Sequence, residues 1–162
     1  MDEQKREFLA QHYAAAQWLG RQSTGGSIRN FSLTGSEIPG WTLIRAQRKE
    51  GTTAPYVHSM WHSMWRHGDA AEEVVSVRVT ECADAAAAQD QVLEELGNFQ
   101  SPKIERRAGA DAVGDVAFGL GQTMALFARG NLVAVILNAG PKAVSVTTLA
   151  RDLDARIREQ LA

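Results

Sequence analysis

GDVAFGLGQTMALFARGNLVAVILNAG, residues 114–140, is the stretch on which the reading of the whole chain turns. It holds two apolar runs, Thr123–Ala128 and Leu132–Leu137, separated by Arg129-Gly130-Asn131. Gly and Asn tolerate the positive φ of a tight hairpin turn, so the two runs read as an antiparallel hairpin. In the second run Val133, Val135 and Leu137 alternate with Leu132, Ala134 and Ile136, which makes both faces apolar. A strand buried on both faces belongs in the middle of its sheet with a layer packed over each side. One such layer follows directly. Val146, Leu149, Ala150, Leu153, Ile157 and Leu161 form a stripe at helical spacing, Ser145 is placed to cap it, and Arg156 and Arg158 suit its negative C-terminal end.

Outward from this centre the pattern alternates between strands and helices. Val113–Leu120 approaches the hairpin as another strand, and Ile104–Arg107, after the break at Ser101-Pro102, reads as a short edge strand. In Val74–Glu81, Val75, Val77 and Val79 alternate with Ser76, Arg78 and Thr80, the signature of a half-buried strand. Asp84 can cap a helix over Ala85–Leu96, with Gly97 as its stop. Upstream, Ile38-Pro39-Gly40-Trp41 is a turn feeding a strand at Trp41–Gln47, followed by a polar loop over residues 48–53. Residues 2–19 read as an amphipathic helix with Phe8, Leu9, His12, Tyr13, Ala16 and Leu19 on one face, and Gln22–Ser27 has the Gly/Ser composition of a linker. The expected organisation is therefore an N-terminal amphipathic helix over residues 1–22, a linker over 23–36 and an α+β sandwich domain over 37–162. Its fold class is an antiparallel β-sheet of about five to seven strands with helices packed against it, plus the N-terminal helix.

Composition narrows the functional classes. At 162 residues, with 22 per cent charged residues, the chain has the make-up of a folded domain. Seventeen basic against nineteen acidic residues leave a net charge of −2, and no segment concentrates Lys and Arg. Neither a nucleic-acid footprint nor a polybasic membrane anchor is therefore expected. No apolar run reaches the length of a membrane span. The charged start MDEQKREF lacks a signal peptide's apolar core, so the localisation stays open. The chain is either cytoplasmic or an exported, cell-envelope protein whose signal has been removed. The single cysteine, Cys82, excludes an intramolecular disulfide and reads as a small buried hydrophobe.

The one internal repeat is His58-Ser-Met-Trp-His-Ser-Met-Trp65. As a helix its apolar stripe is Val57, Met60, Trp61, Met64 and Trp65. As a strand, Trp61 and Trp65 share one face, and His58, Met60, His62 and Met64 share the other. The turn chemistry of Arg66-His-Gly-Asp, just before the strand at Val74, favours the strand. A spacing of four puts His58 and His62 on one side in either case. Imidazole with thioether suits a transition metal, so His58, His62, Met60 and Met64 form a candidate metal site, while Trp61 and Trp65 form a candidate interaction surface. No carboxylate or second cysteine lies at a familiar metal spacing. Gly119-Leu-Gly-Gln-Thr joins two strands and lacks the lysine and helix start of a phosphate loop. Asp111 and Asp115 read as turn formers rather than an acid/base pair. There is no Gly-x-Ser-x-Gly elbow or Cys/His nucleophile motif. Neither a catalytic residue nor a cofactor is expected.

Ile38-Pro-Gly-Trp41 before the first strand, Val75-Ser-Val-Arg-Val-Thr-Glu-Cys82 before the helix, Gly114-Asp-Val-Ala-Phe118, Phe127-Ala-Arg-Gly-Asn-Leu-Val133 and the closing Leu149–Ile157 helix together resemble the PsbP-like α/β sandwich. Bacterial surface lipoproteins of the LpqN type and some sensor domains of receptor kinases are similar. The resemblance covers roughly residues 36–160, is architectural, and carries no catalytic signature. It implies a non-catalytic binding or protein-interaction module of a cell-envelope or accessory type, with a protein partner or small ligand, or self-association. The alternatives are a His/Met transition-metal binder and an enzyme with an unrecognised pocket.

Overall fold

The computed structural model describes residues 1–20, 26–50 and 56–161. Most of the Gly/Ser stretch, the end of the 48–53 loop and Pro55 lie outside the described residues. Among the described residues, seven strands form one antiparallel sheet: β1 (Trp41–Glu50), β2 (Val57–His67), β3 (Val74–Cys82), β4 (Glu105–Arg106), β5 (Val116–Leu120), β6 (Met124–Arg129) and β7 (Leu132–Asn138). Their order across the sheet is β1-β2-β3-β7-β6-β5-β4. The doubly apolar strand is thus the central one, as its sequence requires. Arg129 pairs with Leu132 across a two-residue turn in which Gly130 alone takes positive φ, +55°. That geometry suits a turn with glycine first. Asn131 is freed for another task, described below.

One face of the sheet is covered by α3 (Thr147–Leu161) and by an irregular strap over residues 26–38. Leu149, Leu153 and Ile157 of the helix, with Ile28, Phe31 and Leu33 of the strap, pack on Trp61, Trp65, Val75, Val77, Val79, Leu132, Ala134 and Ile136. Residues 23–36 read as linker, yet Ile28, Phe31 and Leu33 in the described part of that span belong to the core. Two buried side chains fasten the strap. Glu81 accepts from the backbone N–H groups of Asn30 and Phe31, each at 2.8 Å, and from Arg48 at 2.6 Å. Asn131 accepts from Ile28 N–H at 2.8 Å and donates to the carbonyls of Ile28 at 2.9 Å and Cys82 at 3.0 Å. A chain without regular hydrogen bonds can lie on a core only when its peptide groups find such partners.

The other face carries α2 (Ala85–Phe99) and, beside it, α1 (Glu3–His12). Asp84 caps α2 by accepting from Ala87 N–H at 2.8 Å, and Ala88, Val92, Leu93 and Leu96 pack over Val116, Phe118, Leu126, Val133 and Val135. The helix runs through Gly97 and ends at Gln100, whose φ is +51°. Gly97 is a point of close approach: a Cβ there would meet Met1 Sδ at 2.6 Å and a Leu9 methyl at 3.4 Å. The N-terminal ammonium and Arg6 both pair with Glu94, at 3.3 and 3.1 Å.

The first helix is shorter than its periodicity predicts. It stops at His12, Ala14 turns left-handed with φ +52°, and a 3₁₀ turn follows over Ala15–Gln17. The turn delivers Ala15 and Trp18 to the core, where the indole packs against Phe118 and donates to Tyr13 O at 2.9 Å. Phe8 and Leu19, expected on the buried face, are instead 65 and 73 per cent exposed. No helix among the described residues is long and apolar enough to cross a membrane.

Candidate binding surface

The His/Met/Trp repeat is a strand, and its alternation is strict from Ser59 to Trp65. Trp61 and Trp65 point into the core beneath the strap, 3 and 1 per cent exposed. Trp61 meets Phe31 edge to face at 5.7 Å, and the Trp65 indole donates to Ser63 Oγ at 2.8 Å. The two indoles are therefore packing residues and not the interaction surface expected of them. A ring of that size on the face that receives α3 and the strap is covered by them.

Met60, His62 and Met64 occupy the opposite face. His58 does not join them through the alternation, because β2 shifts register between Val57 and Ser59 and His58 sits at that bulge. A bulge cancels the parity that a spacing of four would otherwise guarantee. Neither hollow that His62 lines includes His58.

Cross-strand register shows what does surround His62. One row across the sheet reads Gln47, His62, Arg78, Val135; its neighbours read Lys49, Met60, Thr80, Val133 and Arg45, Met64, Ser76, Leu137. A second bulge, at Ile44 of β1, puts Arg45 and Lys49 on this face, since the register shifts between Leu43 and Arg45. Helix α2 covers the valines at one end of the rows. Toward β1 the face is open: Met60, His62 and Met64 are half-buried, and Arg45, Gln47 and Lys49 are exposed. Two adjoining hollows meet at His62. One, of about 190 Å³, is lined by Lys49, Met60, Ser76, Arg78 and Leu137, and the other, of about 420 Å³, by Arg45, Gln47 and Met64.

The electrostatics of this quarter are one-sided. Burial, and then the positive charges of Arg78, Arg45 and Lys49, hold the His62 imidazole below its ordinary pKa. Its Nε2 lies 2.8 Å from Ser76 Oγ. Arg78 donates to Glu95 of α2 at 2.6 Å, while its buried Nε–H has no partner among the described residues. Among the described residues, Arg45 and Lys49 have no ion pair. The surface therefore presents unspent positive charge over a floor of thioether and aliphatic groups.

This environment bears directly on the metal alternative. Only one of the two histidines lines the hollows, and three cations surround it. Among the described residues no group of three His, Cys, Asp or Glu side chains is placed to hold a metal ion. Cys82 is wholly buried, and burial, helped by Asp84, Asp90 and Glu81, pushes its thiol up to about 12. A thiol so protonated is neither ligand nor nucleophile.

Asp111 and Asp115 do not converge. Asp115 accepts from Gly130 N–H at 2.8 Å and steadies the central hairpin, whereas Asp111 lines a separate hollow of about 320 Å³ at the start of α3. Nothing in the sequence marks Arg45, Lys49 and Arg78 as one group. Each is an ordinary polar residue of its own strand, and only the paired register brings them together. No protein family, curated protein or solved structure matches the chain at a significant level.

Proposed function

We propose that this chain is a non-catalytic binding module whose binding surface is the open quarter of the sheet over β1, β2 and β3. The observation that carries the reading is the convergence of Arg45, Lys49 and Arg78 around a methionine-lined floor with His62 at its centre. Arg45 and Lys49, without an ion pair among the described residues, and Arg78, held by Glu95, stand over an apolar floor and suit an occupant with negative charge and an apolar side, and methionines adapt to its shape.

The same geometry argues against catalysis by the hydrogen-bonded pair of Ser76 and His62. A general base must take up a proton, and the surrounding cations penalise the imidazolium. Among the described residues, no carboxylate is recorded against the ring to orient it and share the charge, as a working triad requires. The cations weigh in the same way against a metal ion held by His62 with Met60 and Met64. The accessory, cell-envelope character of the role is part of the proposal and rests on the likeness to PsbP-like and LpqN-type sandwiches.

The test compares the immobilised wild-type protein with Arg45→Glu/Lys49→Glu in extracts of the producing organism, soluble and membrane fractions separately. A defined partner retained by the wild type and lost by the variant is expected. Identical retention by both would overturn the assignment of this face.

A further inference from the structure

The chain carries, on another element, a surface of the kind this face would receive. On α1, Glu3, Gln4, Glu7, Phe8 and Gln11 recur at helical spacing and are all exposed. The helix's cations are turned away from them: Arg6 pairs with Glu94, and Lys5 donates to Gly97 O at 2.9 Å. What remains outward is an acidic stripe with an aromatic ring at its middle. Among the described residues, Glu3 and Glu7 have no ion pair, and Phe8 is 65 per cent exposed, its ring stacked on that of His12 at 5.8 Å.

We infer that the open sheet quarter takes the α1 stripe of a second copy of this chain. The inference rests on reading that quarter as the binding surface and names its occupant. Dimensions agree. A ten-residue helix is about 15 Å long and about 10 Å across, and three strands span roughly 14 Å, with Arg45 and Lys49 about 13 Å apart along β1. The half of this face that is already covered is covered by a helix, α2, so a helix is the shape the sheet accepts. Charge agrees as well: Glu3 and Glu7 would lie against Arg45, Lys49 and Arg78, and Phe8 against Met60 and Met64. An aromatic ring on thioether sulfur is a favourable contact. An interface of one short helix is small, so association is weak and concentration-dependent.

The experiment is sedimentation equilibrium over about 10 μM to 1 mM protein. It compares wild type, Phe8→Ala, Glu3→Lys/Glu7→Lys, Arg45→Glu/Lys49→Glu and an equimolar mixture of the two charge-reversed variants. All these side chains are exposed, so each variant is expected to melt like wild type, and a circular dichroism melt checks this. The wild type should self-associate more weakly at high salt. Each reversed variant should lose at least about tenfold in association, Phe8→Ala should weaken it, and the mixture should recover it, because a lysine helix then meets a glutamate face. A wild type monomeric throughout, or self-association indifferent to both reversals, overturns the inference. Binding to phosphatidylglycerol vesicles that depends on Arg45 and Lys49, without self-association, overturns it in favour of an anionic membrane. If the wild type is monomeric yet Arg45→Glu/Lys49→Glu still loses its captured partner, the binding module stands and only the occupant is wrong.

Discussion

At the scale of single residues, two buried polar side chains decide whether the strap stays on the sheet. Burial pushes the Glu81 carboxyl up, but Arg48, the N–H groups of Phe31 and Asn30, and Ser59 outweigh it and hold the group below its usual 4.5. A carboxylate with a lowered folded pKa contributes stability that is complete above that usual value and is lost as pH falls through the lowered one. Glu81→Ala should therefore cost roughly 3 kcal/mol near neutral pH, since it leaves Arg48 and two N–H groups without their acceptor, and the difference from wild type should shrink in acid. Urea melts at pH 7 and pH 3 read this out. His62 has the opposite charge type. Its lowered pKa means that the folded state resists protonation, so stability is complete above about pH 6.5 and falls below it. For the same reason calorimetric titration with Zn(II), Ni(II), Cu(II) or Cu(I) should reveal no site tighter than micromolar; a nanomolar site lost in His58→Ala/His62→Ala would restore the metal reading. Neither Glu81 nor Asn131 was visible as an anchor in the sequence. Their partners lie about fifty and about a hundred positions away, and nothing in Asn30-Phe31 or Ile28 announces which acceptor it will find.

At the scale of elements, alternation was readable and facing was not. The strand at residues 58–65 showed its period because every second position is Trp or Ser and the others are His or Met. Both sets are apolar enough to be buried, so the pattern did not say that the tryptophans face inward. Helix α1 failed in the other direction. Its period runs on past His12, but the pull of Trp18 toward Phe118 breaks it at Ala14, and a tertiary contact of that size overrides local propensity. Trp18→Ala should destabilise the protein by about 3–5 kcal/mol, as for an indole lost from a core. Removing residues 1–20 should do at least as much, because Gly97, Phe118 and Glu94 lose their cover together. Chemical denaturation of the two variants checks this, and a truncated protein as stable as the full chain would show that the first segment only rests on the surface.

At the scale of the whole molecule, the α+β architecture and the central place of β7 were legible, because a strand apolar on both faces has few other places to go. An unpaired charge there should abolish folding. Ile136→Asp is the sharper variant, since Val135 has Arg78 beside it in the register and an aspartate at 135 would gain a partner. Ile136 lies wholly buried under α3, and the cost of several kcal/mol is a large share of any domain's stability. Circular dichroism and one-dimensional NMR decide it; a native-like spectrum would remove β7 from the core. The order of the strands was not legible, and it has a kinetic consequence. Strands β1 to β3 form one meander and β4 to β7 another, each built from near neighbours in the chain. They are joined only where β3 meets β7, along seven residue pairs more than fifty positions apart. That seam is the long-range step of folding, and its closure sets a timescale on the order of milliseconds to seconds. Until it closes, the two most valine-rich strands are both open edges, each able to pair with the wrong chain. Anything that delays the seam, whether a weakened hairpin at Gly130 or a strap not yet held by Asn131, lengthens the interval in which the protein is vulnerable to aggregation.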